Sequence, residues 1–168
     1  STCDVRCSVT VSNKLSIQLS TGDVTLSGVS AAAVDCTVTT GDVRMQSVSC
    51  TGDVKLKCST GRTVLDDLTC QNLHSEGSTG GIQLKNVVVS HTLEIERGTG
   101  DVTFENSDAN EIMVKTSTGD VTGTLRTGKT FVTKTSTGDV KAPESVAGGR
   151  CEITTGTGDI SIRIADGK

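Results

Sequence analysis

Apolar and polar residues alternate along most of this chain, and the alternation returns to the same phase again and again. Runs such as Leu15-Ser-Ile17-Gln-Leu19, Val34-Asp-Cys36-Thr-Val38 and Leu93-Glu-Ile95 put an apolar side chain at every second position. A period of two predicts strands with one buried face. No helix is predicted anywhere. Between the runs, Thr-Gly-Asp-Val stands in one phase at 21–24, 40–43, 99–102, 118–121 and 137–140. Thr157-Gly158-Asp159-Ile160 is a near copy, whereas Thr60-Gly61-Arg62 and Thr79-Gly80-Gly81-Ile82 are degenerate. The glycines fall at 22, 41, 61, 80, 100, 119, 138 and 158, so every gap is 19 or 20 residues. Cys3-Asp4-Val5 reads as a first copy that has lost its glycine.

Columns appear when the glycine of each copy is set as origin. Two places on stand Val5, Val24, Val43, Ile82, Val102, Val121, Val140 and Ile160, with Thr63 the exception. Four places on stand Cys7, Leu26, Met45, Leu65, Leu84, Phe104, Ala142 and Ile162, with Gly123 the weak member. Seven places on come Val29, Val48, Leu68 and Val87. Nine on is a small-residue column of Ala31, Cys50, Cys70, Val89, Ala109, Gly128 and Ala147. A unit this short cannot bury its own apolar side, so successive units must stack and pair in parallel. The prediction is an all-β fold: a single-stranded parallel β-solenoid of about eight coils of 19–20 residues, filling residues 1–168 as one domain. At ~4.8 Å per rung it is a rod roughly 40 Å long. Right-handed coiling is expected from the general rule for parallel crossovers. Coils are expected to follow one another in sequence order. The glycine column supplies a positive-φ corner, and the neighbouring aspartate is expected to accept hydrogen bonds from amides of its own turn.

Composition narrows the functions such a rod can have. The chain has 168 residues with 1% aromatics, two Phe, no Trp and no Tyr, which nearly rules out platforms that stack on sugars or single-stranded bases. A net charge of −4 removes the basic footprint of a nucleic-acid binder. No apolar run is long enough to span a membrane. The chain opens Ser1-Thr2-Cys3 and reads as part of a longer exported or membrane-anchored protein. Seven Cys without a C-x-x-C pair give no zinc-ribbon spacing and no complete disulfide framework. Cys7, Cys36, Cys50, Cys58, Cys70 and Cys151 fall on inward columns, as small hydrophobes do. Cys50 and Cys70, on adjacent coils, are the one pair near disulfide range.

The aspartate row is the sharpest chemical feature: Asp4, Asp23 and Asp42, then Asp101, Asp120, Asp139 and Asp159, with Arg62 and Gly81 between. Rows of oxygen ligands suit calcium, but turn capping accounts for the same residues and is preferred. Thr116-Ser-Thr118 and Thr135-Ser-Thr137 suggest an ice-binding array. The outward column Gln18, Thr37, Lys57, Glu76, Glu96, Lys115, Lys134 is instead a mixed charged surface. His74 and His91 have no ligand partners, no serine has a His–Asp context, and Thr127-Gly-Lys129 lacks the frame of a phosphate loop. No catalytic, cofactor-binding or metal-binding residue is assigned.

The repeated Ser-Thr-Gly-Asp-Val strings, with Val and Leu alternating between them, resemble a bacterial family of adhesin-type domains of unknown function built on β-strand repeats. The resemblance covers nearly the whole chain and implies an extracellular or cell-surface location. The expected function is that of a non-enzymatic surface module, an adhesin or a rigid interaction or spacer domain. Its partner would be a surface protein or glycan, with end-to-end self-association at uncapped strand edges. A sensory or scaffolding ectodomain of an anchored envelope protein is the alternative. A polysaccharide-acting β-helix enzyme ranks lower, because strict coils leave no loops to build a groove.

Overall fold

The computed structural model describes residues 4–8, 10–143 and 148–164. Within them the chain forms one parallel sheet of 17 strands wound into a solenoid, with no helix. Each coil has two longer sides, joined by a short paired segment such as Ser30–Ala31. The first follows the Thr-Gly-Asp corner, as in Val24–Ser27 and Ile82–Lys85. The second carries the other alternating run, as in Lys14–Thr21, Ala33–Thr40 and Asp53–Thr60.

The columns read from the sequence are the ladders of the solenoid. Val5 pairs Val24, Val24 pairs Val43, Val43 pairs Thr63, and the ladder continues through Ile82, Val102 and Val121. Inward members such as Val24, Leu26, Val29, Leu65, Leu84 and Leu93 are fully buried. Burying such a side chain contributes about 1.5–3 kcal/mol each. The core is therefore a set of aliphatic columns running along the rod, which explains how a chain that is 33% hydrophobic can fold without aromatic bulk.

The corner glycines are required twice over. Gly22, Gly41, Gly61, Gly80, Gly100, Gly119, Gly138 and Gly158 all have φ between 125° and 149°. An added Cβ would also strike the carbonyl of the glycine on the adjoining rung, at 1.9 Å for Gly41 and 2.1 Å for Gly119. Close stacking and left-handed backbone thus select the same residue. A second corner lies six residues on, where Gly28, Ser47, Asp67, Asn86 and Asn106 take φ of 52–63°. All but Ser47 are the residue types that tolerate this region best, and Asn106 donates to Asn86 Oδ1 at 3.0 Å. Gly123, the weak member of its column, lies under Phe104, where a Cβ would come within 2.6 Å of the Phe104 Cβ.

Coil order departs from sequence order at one end. Ile112 pairs Cys151, and Phe131 pairs Cys151 from the other side. On the first side, Val121 pairs Ile160 and Ile160 pairs Val140. Coil 150–164 is therefore inserted between coils 111–125 and 130–141, correcting the expectation of strict succession. The reason lies in the inward residues. Cys151, Ile153, Ile160 and Ile162 are all at most 3% exposed. The corresponding positions of the outer coil are Phe131, Thr133, Val140 and Ala142, a less apolar set suited to a terminal rung that faces solvent on one side. Insertion buries the greasier coil and leaves the more polar one as the cap.

The crossing segment 126–129 has its own fastening. Lys129 Nζ lies 2.7 Å from Asp108 Oδ1, its side chain 4% exposed. Lys129 also donates to Thr127 Oγ1, which in turn donates to Asp108 Oδ2 at 2.7 Å. The segment thereby reaches past the inserted coil, where Thr130 N–H meets the Gly149 carbonyl at 2.9 Å.

Candidate functional site

The Thr-Gly-Asp corner forms an edge along the rod, and its aspartates do something other than cap their own turns. Six of the seven carboxylates in the row accept the backbone N–H of the residue one rung along. Asp4 Oδ1 accepts from Asp23 at 3.1 Å, Asp23 from Asp42 at 2.9 Å, and Asp42 from Arg62 at 2.9 Å. Farther along, Asp101 accepts from Asp120 at 2.9 Å, Asp120 from Asp159 at 2.8 Å, and Asp159 from Asp139 at 2.8 Å. The expected local capping is thus replaced by a bond between coils. The corner amides point outward, and a carboxylate on the neighbouring rung is the group that satisfies them.

This ladder breaks in the middle. Arg62 offers no acceptor to the amide of Gly81, and Gly81 has no side chain to offer to the amide of Asp101. A Cβ built on Gly81 would point toward Asp101, 3.7 Å from its amide nitrogen and 3.0 Å from its carbonyl oxygen. At the break lies an open cleft of about 600 Å³, lined by Arg62, Gly81, Gln83, Thr99, Asp101 and Thr118 among others. Arg62 is exposed. A smaller adjoining cleft of about 290 Å³ brings Arg44 beside Arg62 and Asp42. The acidic edge is therefore interrupted by a cationic patch with two outward amides.

No group of three or more His, Cys, Asp or Glu poised for a metal is found among the described residues. His74 stands on the second side between Glu76 at 3.7 Å and Glu94 at 3.6 Å, and His91 lies exposed at the register shift between Val89 and Thr92, within the strand Val88–Thr99. The mixed charged column Gln18, Thr37, Lys57, Glu76, Glu96, Lys115 pairs as expected, with Thr154 inserted before Lys134. Cys36, Cys50, Cys58, Cys70 and Cys151 are buried and Cys7 half-buried, all as free thiols; the Cys50–Cys70 pair is not bonded. Ser49 pairs Thr69, which confirms that Cys50 and Cys70 follow on adjacent rungs. Burial pushes the thiols of Cys36, Cys70 and Cys151 up to about 12, which makes them poor nucleophiles. Ala147 lies outside the described residues.

One residue escaped the sequence reading altogether. Arg97 occupies an inward position, the column of Leu19, Val38, Cys58 and Gly77, and is 2% exposed. Its Nη2 donates to Thr63 Oγ1 at 3.1 Å and to Ser75 Oγ at 3.0 Å, while Nε and Nη1 have no partner. A Cβ on Gly77 would lie 1.9 Å from Nη1. Thr63 and Ser75 are polar exceptions between aliphatic neighbours, Val43 and Ile82 for the one and Leu56 and Ile95 for the other, and Gly77 is the small exception between Cys58 and Arg97. Those three exceptions were the available signal: together they make the room and the acceptors for one buried guanidinium. Burial lowers its pKa, and proximity to Cys58 works the other way.

These features define a parallel β-solenoid repeat domain with a hydrogen-bonded acidic edge. The Toastrack DUF4097 family profile matches residues 1–57 and 49–168, and the chain belongs to that family, a domain of unknown function. No curated protein and no solved structure matches the chain.

Proposed function

We propose that this domain is a non-enzymatic interaction module of the bacterial cell surface, a rigid rod that engages a partner along its length. The observation that carries the reading is the unbroken outer surface of the second side. Eight in-register strands, from Lys14–Thr21 to Thr130–Thr137, present ladders of mixed charge. Lys14 pairs with Asp35 at 3.2 Å, and Lys57, Glu76, Glu96 and Lys115 follow in one row. Parallel strands of such regularity resist bending and hold surface groups at fixed ~4.8 Å intervals, a geometry suited to reading an extended partner. Buried, high-pKa thiols and solvated carboxylates supply no activated nucleophile or acid–base pair, which favours binding over catalysis.

The test is binding of the labelled domain to mucin, a glycan array and isolated bacterial envelopes, each with and without calcium. Saturable binding to one of these, indifferent to chelator, is expected. Absence of binding to all three would overturn the adhesive reading in favour of a spacer or sensor. Loss in chelator would make the aspartate edge a metal site.

A further inference from the structure

The break in the aspartate ladder has the form of a vacant carboxylate position. At six rungs the corner amide receives an aspartate oxygen from the neighbouring coil at 2.8–3.1 Å. At Gly81 and Asp101 the same corner amides recur, but among the described residues neither donates a hydrogen bond to the neighbouring coil. A guanidinium, Arg62, lines the cleft at that point, and the hydroxyl-bearing Thr99 and Thr118 flank it. The charges facing the gap are ordered favourably. Asp42, on the near side, is engaged with the Arg62 amide, and Asp101, on the far side, with that of Asp120. Arg44 adds a second cation in the adjoining cleft.

We infer that this cleft binds a carboxylate from outside the chain, which replaces the missing rungs of the ladder. The incoming group accepts from the Asp101 and Gly81 amides, as Asp23 or Asp120 does elsewhere, and pairs with Arg62. Paired amides with an adjacent guanidinium form charge-assisted bonds that favour a planar anion. The ligand class is a carboxylate, carried either by a small organic acid or by an Asp or Glu side chain of a partner protein. In the second form the inference rests on the interaction-module reading above and names the chemistry by which the partner is gripped.

The experiment is amide-detected NMR on the full 15N-labelled chain. Sodium acetate and the blocked tripeptide acetyl-Gly-Asp-Gly-amide are titrated separately, with sodium chloride at matched ionic strength as control. The expected result is a saturable shift of the Gly81 and Asp101 amides with a carboxylate and none with chloride. Tighter binding of the peptide identifies a partner's side chain as the source, and equal or tighter binding of acetate identifies a small acid. Gly81→Asp supplies a carboxylate to the Asp101 amide from within the chain and should abolish the response. Arg62→Gln, an exposed change that leaves the fold intact, should weaken it about fivefold. Overturning results are shifts that do not saturate, an equal response to chloride, or a response that survives both substitutions. No saturable response to either probe, with envelope binding retained, would sink the carboxylate site while leaving the interaction-module reading standing.

Discussion

The stack from Val5 to Leu125 and the outer end from Thr130 to Ile164 are built from the same repeat, yet they are assembled differently. In the first region each coil lies on its predecessor, and the register follows from counting 19 or 20 residues. In the second the spacing is equally regular, but the last coil is inserted beneath the one before it. Repeat length fixes which residues share a column; it does not fix which coils are neighbours. Neighbour choice is decided by how apolar each coil's inward set is, and by whether the connecting segment can be anchored. The Lys129–Asp108 pair does that anchoring at the crossing.

The sharpest way to break this comparison is to place a carboxylate in each of the two end coils. Ile153→Asp should destroy cooperative unfolding, because it leaves an unpaired charge in a fully closed column, with a cost above about 4 kcal/mol. Leu26→Asp in the regular stack should be as severe. Thr133→Asp, on the half-exposed outer rung, should cost about 1 kcal/mol or less. If the coils stacked in sequence order, Thr133 would be the interior residue, and thermal melts would rank Thr133→Asp above Ile153→Asp.

The crossing itself is tested by Lys129→Ala, which strands Asp108 without its cation. A loss of about 2–3 kcal/mol in urea unfolding is expected, most of it recovered when Asp108→Asn is added. A smaller effect of opposite sign should come from the regular stack. Arg97→Met replaces a poorly satisfied buried cation by an apolar chain of similar length and should stabilise by about 1–2 kcal/mol. A lower melting temperature for Arg97→Met would show that the guanidinium has a partner worth keeping.

The smallest effect near neutrality, and one shared by both regions, is alkaline. Cys36 and Cys70 in the stack and Cys151 in the inserted coil titrate at about 12, above the usual 9.0. The folded chain therefore holds thiol protons that the unfolded chain releases first. Their contribution is intact below pH 9 and is lost as pH rises toward 12. Stability should be flat from pH 7 to 9 and then fall, and the thiols should label slowly at pH 8. Rapid labelling of Cys151 alone would mean that the inserted coil opens independently of the stack.

Much of the architecture was legible in the sequence because a two-residue period, a glycine every 19 or 20 positions and β-branched columns are local signals. The inward ladders through Val24, Leu26 and Val29, and the outward row through Lys57 and Glu76, needed only counting. Other features depend on contacts between coils and left weaker marks. The bonding of each aspartate to the next coil's amide was hidden because turn capping predicts the same residue. The inserted end was hidden because both orders obey the same spacing. Arg97 was hidden because an inward arginine contradicts the pattern, although Thr63, Ser75 and Gly77 already broke their columns nearby. The broken ladder at Arg62 and Gly81 was visible as a defect in the motif; its meaning as a cleft with two outward amides required the geometry.

The inserted coil also sets a timetable for synthesis. Among the described residues, strands Thr130–Thr137 and Val140–Lys141 pair only with strands that follow them in the chain. When residues 130–141 leave the ribosome, their neighbour does not yet exist, and the stack below them has no cap in its final place. The rod's outer end can close only after residue 164 has emerged, so a stalled or nicked chain keeps an open parallel edge for chaperones and proteases to find.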